Sequence, residues 1–184
     1  MSGIFKTENT TNIIYRQWMI PESRVVLLLV HGLGAHTERW EALADFFQKN
    51  NISSYALELK GFGRTQGERG DVDSLDTYFR DIRVLYDIIR QENPNKKIFL
   101  LGESMGALIC FLFAVSAPRL FSGLVCISPA FAGKLRFNLW TYIAIAIALV
   151  FNPKRHFQVP IIPEMCTRDI NYQKLIDADP LDKH

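Results

Sequence analysis

The sequence predicts an α/β protein built on a mostly parallel sheet flanked by helices. Short continuous apolar runs alternate with segments of helical period, and a glycine-bearing loop follows each of three such runs. One of these loops, Gly102-Glu103-Ser104-Met105-Gly106, joins a strand-like run directly to a helix-like one. The first strand of the alternation is Val25–Val30 (VVLLLV), whose unbroken apolar character fits a strand covered on both faces. Glu38–Asn50 follows with Trp40, Leu43, Ala44 and Phe47 at helical spacing. Ser53–Leu59 reads as a second strand, ending at Gly61. Asp76–Glu92 places Tyr78, Ile82, Leu85, Tyr86 and Ile89 on one helical face, and Asn93-Pro94-Asn95 stops it. Ile98–Leu101 is a third strand, Met105–Ala117 a helix stopped by Pro118, and Gly123–Ile127 a fourth strand. Asn12–Ile20, ending before Pro21, reads as an antiparallel leading strand.

Parallel strands joined by right-handed crossovers bring their carboxyl ends to one edge, where a ligand sits. The loops His31–Ala35, Gly61–Gly70 and Gly102–Gly106 all fall there. From Pro129 onward the alternation breaks into an apolar run, a basic patch (Lys154, Arg155, His156) and three prolines, Pro153, Pro160 and Pro163. The organisation is therefore residues 1–129 as the α/β core and 130–184 as the start of a cap, with no further strand signal before His184.

Composition bounds the function. With 184 residues, 48% of them apolar, the chain can bury one sizeable core. A net charge of +2 and the lack of a Lys/Arg block argue against nucleic acid as a partner. Three cysteines (Cys110, Cys126 and Cys166) form neither a disulfide framework nor a zinc spacing, and no clustered His/Cys signal marks a metal. Met1–Thr10 carries no apolar signal-peptide core, which makes a reducing cytoplasmic setting the expectation. Asp71, Asp73 and Asp76 read as a solvated acidic loop and helix cap rather than as a ligand set. The loop 61–70 lacks the G-x-x-x-x-G-K-[ST] pattern of a phosphate cradle.

Ser104 is the residue on which chemistry converges. G-x-S-x-G between a strand and a helix puts the serine on a tight turn that lifts its Oγ above the sheet, and the glycines let strand and helix approach closely. The helix N-terminus adds free N–H groups and partial positive charge beside that oxygen. Acyl transfer also needs two N–H donors for a developing oxyanion. In an elbow of this kind one donor is the amide of the next residue, here Met105. The other comes from an earlier strand–helix loop, which points to Leu33 in His31-Gly32-Leu33-Gly34. The alternative at both places is an ordinary glycine turn without chemistry. His31 and His36 precede the serine, whereas the base of such an arrangement follows it, so both read as loop-shaping residues.

The stretches HGLGAHTERWEALADFF, YALELKGFGRTQGERG and FLLGESMGALICFLFAVSAPRLFSGLVCISPAF resemble, in order and spacing, the monoglyceride lipase and lysophospholipase group of α/β hydrolases. The resemblance runs from about Asn12 to Pro180. It implies the α/β-hydrolase fold, Ser104 as nucleophile, Leu33 and Met105 as backbone oxyanion donors, a mobile cap from about Ala130 over an acyl-chain pocket, a lipid ester substrate and no cofactor. It also implies a triad acid and histidine on loops after later strands. Downstream of Ser104 the histidines are His156 and His184 and the late aspartates are Asp177, Asp179 and Asp182, all in cap-like sequence. The expectation is therefore that the triad His and Asp and the C-terminal strands are not in this chain, and that these residues alone turn over little substrate. Esterases, thioesterase-like enzymes and small-peptide hydrolases share the group, and a non-catalytic fragment is a further alternative. Finally, Leu139–Phe151 (LWTYIAIAIALVF) is uncharged over 13 residues, short of the roughly 20 a membrane span needs. Flanked by Lys134, Arg136, Lys154 and Arg155, it suits a cap in peripheral contact with a bilayer, or one packed on its own core.

Overall fold

The computed structural model describes residues 2–6, 12–132, 137–152, 155–157, 159 and 162–182. Among them the strands are β1 (Ser2–Lys6), β2 (Asn12–Trp18), β3 (Val25–Val30), β4 (Ser53–Leu57), β5 (Lys97–Glu103) and β6 (Gly123–Ile127). The helices are α1 (Glu41–Lys49, entered through a 3-10 turn, Thr37–Trp40), α2 (Leu75–Glu92), α3 (Met105–Ser116), α4 (Leu139–Phe151), α5 (Pro163–Cys166) and α6 (Ile170–Ala178).

The strands form one sheet in the order β1-β2-β4-β3-β5-β6. β4, β3, β5 and β6 are parallel, while β2 runs antiparallel to both β1 and β4. The alternation of strand and helix thus yields the expected parallel centre, and the leading strand is antiparallel as its sequence suggested. β1 was not read from the sequence: Ser2–Lys6 has no strong strand pattern, and its register against β2, from Ser2↔Arg16 to Lys6↔Asn12, is a pairing property rather than a local one.

β3 shows why an unbroken apolar run belongs at the centre. Val26, Leu28 and Val30 face α2 and α3 in a core with Tyr55, Leu57, Ile82, Leu85, Ile89, Leu100 and Ile109. Leu27 and Leu29 face the other side, packed with Trp40, Ala56 and Leu101 and backed by Leu43 and Phe47 of α1. Burying a side chain such as Leu28 contributes roughly 1.5–3 kcal/mol. The helix read over residues 38–50 is therefore two pieces, a 3-10 turn that buries Thr37 and Trp40 followed by α1.

Beyond β6 the described chain is helical. α4 occupies the whole uncharged run, capped by the Asn138 side chain, which accepts from the Thr141 amide at 2.8 Å. α6 is capped the same way by Asp169, which accepts from the amides of Asn171 and Tyr172. None of the described helices is long and apolar enough to cross a membrane. Of the basic residues read as flanking α4, Arg155 is described; Lys134, Arg136 and Lys154 lie outside the described residues, as do Pro153, Pro160 and His184.

Candidate active site

Ser104 follows the last residue of β5 and caps α3. Its backbone sits at φ 51°, ψ −116°, a left-handed conformation that costs a non-glycine residue on the order of 1–3 kcal/mol. Several bonds over-determine that conformation. The Ser104 amide donates to the Ile127 carbonyl at 2.9 Å, and the Ser104 carbonyl accepts from the Leu108 and Ala130 amides, each at 3.2 Å. β6 and the first turn of α3 therefore hold the elbow from two sides.

The glycines of the elbow are required by contact distance. A Cβ on Gly106 would lie 2.3 Å from the Val30 carbonyl oxygen and 2.4 Å from that of His31. One on Gly102 would lie 2.5 Å from the Gly106 oxygen. α3 thus presses its first turn directly onto the end of β3, which a side chain at either position would prevent.

The loop after β3 reaches the same point. A Cβ on Gly32 would lie 3.2 Å from Ser104 Cβ and 3.8 Å from Ser104 Oγ. The structure therefore brings Leu33, one residue on, to the neighbourhood of Ser104 and Met105. Leu33 and Met105 side chains pack against the main core, which ties down the backbone of each. Neither the Leu33 nor the Met105 amide donates a hydrogen bond to another described residue, and no described group bonds the Ser104 hydroxyl. An elevated serine with two uncommitted amides beside it can receive a carbonyl and hold negative charge on its oxygen.

The histidines have other work. His31 is buried, with Nδ1 2.8 Å from the Gly32 carbonyl and Nε2 accepting the Leu59 amide at 3.0 Å. Burial pulls its pKa down to about 4, so it is a neutral brace between the ends of β3 and β4. Its ring meets Phe62 edge-on at 5.7 Å. His36 is also buried and lies 2.7 Å from Asp179 Oδ2. Burial favours the neutral Asp179 carboxyl, but hydrogen bonds from His36 and the Leu181 amide outweigh it and hold its pKa below the usual carboxylate value. His156 is exposed, 3.4 Å from Glu68 Oε1.

Glu58 was not singled out from the sequence, although it bonds the loops on both sides of the end of β4. This buried carboxylate accepts from Thr37 N at 3.1 Å, Thr37 Oγ1 at 2.6 Å and Arg64 N at 2.5 Å, so it joins the end of β4 to both neighbouring loops. Gly63, at φ 55°, makes room for it: a Cβ there would lie 2.3 Å from Glu58 Oε1. In the acidic loop Asp73 pairs with Lys60 at 2.7 Å and Asp76 lies in the first turn of α2, but the N-cap position of that helix is Ser74, so none of the three aspartates is the cap itself. Glu103, the residue before the serine, is half-buried, and desolvation raises its pKa against the opposing pull of Arg39. No group of three or more His, Cys, Asp or Glu among the described residues is arranged to hold a metal ion.

A mostly parallel sheet with a strained serine elbow at its carboxyl edge defines the α/β-hydrolase fold. Residues 21–184 match the Hydrolase_4 family, described as serine aminopeptidase, S33, and the chain belongs to that family. Its relatives include monoglyceride lipase of Mus musculus, 36% identical over 106 residues, which are 58% of this chain and 35% of that protein. The monoglyceride lipase homolog of Monkeypox virus is 29% identical over 163 residues, 88% of this chain and 58% of that protein. The crystal structure of Paleococcus ferrophilus monoacylglycerol lipase matches with a TM-score of 0.76 at 27% identity, covering 94% of this chain and 64% of that one. The chain thus spans between about a third and two thirds of the length of these relatives.

Proposed function

We propose that the protein is a serine ester hydrolase acting on monoacylglycerol or lysophospholipid-type lipid esters through an acyl-enzyme at Ser104. The observation that carries this reading is the elbow: a left-handed Ser104 whose hydroxyl has no partner among the described residues, near the amides of Leu33 and Met105, which likewise have no described acceptor. Lipid esters are favoured because relatives on both comparisons carry the names monoglyceride lipase and monoacylglycerol lipase.

In the proposed reaction Ser104 Oγ attacks the ester carbonyl carbon and gives its proton to a base. The tetrahedral oxyanion lies between the Leu33 and Met105 amides, each donor contributing roughly 3–4 kcal/mol to the transition state. Collapse expels the alcohol, glycerol from a monoacylglycerol or the glycerophosphodiester from a lysophospholipid, protonated by the same base, and water then releases the fatty acid by the reverse route. A serine without a base is a weak nucleophile. No described histidine or carboxylate bonds the Ser104 hydroxyl, so the reading assigns base and orienting acid to residues outside the described ones.

The reading takes residues 130–184 as a cap that meets the lipid. α4 exposes Leu139, Trp140, Tyr142, Ile143, Ile147, Leu149, Val150 and Phe151, an apolar surface suited to the boundary of a bilayer. Replacing Ile147 and Leu149 by Asp is expected to abolish cosedimentation with phospholipid vesicles. Unchanged binding rejects the membrane contact.

The central test is a fluorophosphonate probe with a substrate panel. Labelling of the protein and release of fatty acid from a monoacylglycerol are expected, with activity lost by roughly a thousandfold or more in Ser104→Ala. The family's description favours a second reading, a small-peptide hydrolase, and the fold equally carries thioesterases. Preferential cleavage of an aminoacyl amide or an acyl thioester selects one of those. An unlabelled Ser104 in the whole protein supports a non-catalytic lipid- or partner-binding role.

A further inference from the structure

The loop that carries Leu33 is held from an unexpected direction. The segment from Asp179 to Asp182 follows α6 and folds into a turn, in which the Asp182 amide donates to the Asp179 carbonyl at 3.2 Å and the Leu181 amide to Asp179 Oδ1 at 2.9 Å. This turn meets the 3-10 turn after β3. His36 Nε2 lies 2.7 Å from Asp179 Oδ2, with the His36 side chain 1% exposed. Arg39 pairs with Asp182, and both side chains are largely buried. The Arg39 guanidinium also stands over the Tyr172 ring of α6, 5.5 Å from its centroid. Arg69, from the glycine loop between β4 and α2, donates to the Leu181 carbonyl at 2.7 Å and to its own loop's Gly63 carbonyl at 2.5 Å.

The spacing on the two sides matches. His36 and Arg39 are three residues apart around a 3-10 turn, where residues i and i+3 face the same way. Asp179 and Asp182 are three apart around a turn closed by an i-to-i+3 bond. Each turn thus presents two groups in one direction, cation-forming on one side and anionic on the other. Withdrawn from water, such pairs are geometrically demanding, because removing one partner leaves a buried charge uncompensated. Apart from the packing of the Leu33 side chain on the core, the loop makes few bonds of its own. Among the described residues the backbone bonds of Gly32–His36 are Ala35 N to Gly32 O, at 3.3 Å, and Arg39 N to His36 O, at 3.1 Å, and Gly34 takes φ 75°. Its position is set at its ends, by His31 against Leu59, by Thr37 against Glu58, and by His36 against Asp179.

We propose that Asp179–Asp182 is a strap whose docking on His36 and Arg39 positions the Leu33 amide beside Ser104. His36, Arg39, Asp179 and Asp182 are then positioning residues, joining the end of the helical segment to the oxyanion side of the site. The chemical consequence rests on the hydrolase reading; the mechanical one does not.

The test combines amide hydrogen exchange with kinetics on a short, water-soluble ester, in the whole protein. In Asp179→Asn and in Asp182→Asn, exchange of the amides at 33–37 is expected to rise about tenfold while the amides of β3 and β5 stay protected, a pair coupling within the usual range. Turnover should fall about tenfold with KM held within roughly twofold, because an oxyanion contact forms only in the transition state. The double variant His36→Gln/Asp179→Asn should lose no more than either single one. Unchanged exchange at 33–37 in both aspartate variants overturns the strap, as does a fall in stability of the whole sheet that accounts for the kinetic loss. Should an aspartate variant not fold, Arg69→Met, which removes the contact to Leu181, decides by the same exchange readout. Absence of any Ser104-dependent turnover in the native protein defeats the hydrolase reading alone, while exchange still decides the strap.

Discussion

β3 and β6 are both short apolar strands in one sheet, and they meet opposite fates. Every residue from Val26 to Val30 is buried, because β4 and β5 pair on both sides and α1, α2 and α3 cover both faces. In β6, Val125 is 43% and Ile127 38% exposed, although their chemistry is the same. Among the described strands β6 pairs with β5 alone, and nearby Phe111 and Val115 of α3 and Phe131 are exposed too. α4 continues this side of the contrast, with Phe151 at 83% exposure. The comparison teaches that burial is concentrated around β3 and the elbow, while β6 and α4 each leave apolar side chains exposed among the described residues.

The comparison can be broken most forcefully at the elbow. Gly106→Val drives a side chain into the rigid carbonyls of Val30 and His31, and is expected to destabilise the fold by more than about 4 kcal/mol in urea unfolding. A loss below about 1 kcal/mol would mean that α3 is free to retreat from β3. Next, Leu28→Ala should cost about 2–5 kcal/mol, and Val125→Ala less than about 1 kcal/mol, because truncation at an exposed position leaves no cavity. Equal losses at the two positions would erase the contrast. Ser104→Gly should gain about 1 kcal/mol by relieving the left-handed backbone while abolishing turnover. Loss of stability there would show that the serine is not strained.

The smallest effect is one of pH. Asp81 on α2 is buried with Oδ2 unpaired among the described residues, and burial pushes its pKa up to about 7. The folded state then holds a proton that the unfolded chain has lost above pH 4, so this group lowers stability as pH rises from about 4 to 7. His31, depressed to about 4, acts oppositely: the unfolded chain binds the extra proton, and its contribution is lost as pH falls from about 6.5 to 4. The difference in unfolding midpoint between Asp81→Asn and the native protein should therefore grow in the variant's favour from pH 4 to 7. A flat difference means that Asp81 is solvated in the folded state.

The elbow was legible because each of its requirements is local. Strand residues, two glycines, the serine and the first turn of α3 are contiguous, so the pattern Gly102–Gly106 carries its own geometry. β1 was not legible, since its five residues acquire strand character only from β2. Glu58 was missed for a related reason: the donors it accepts from, at Thr37 and Arg64, belong to loops whose approach no period in the sequence encodes. Asp179 and Asp182 were noticed as late aspartates, but nothing nearby signals that their partners stand 143 residues earlier.

The amino-acid sequence by itself determined the alternation of strands and helices from β2 to β6, the buried character of β3 and the turn that raises Ser104. Hydrophobic period and glycine placement act over a few residues, and the chain writes them directly. Tertiary structure alone decided which apolar strand is covered, which carboxylate braces the loops and which aspartates grip His36 and Arg39. Those outcomes depend on distances between segments far apart in the chain, and such distances exist only after the sheet has assembled.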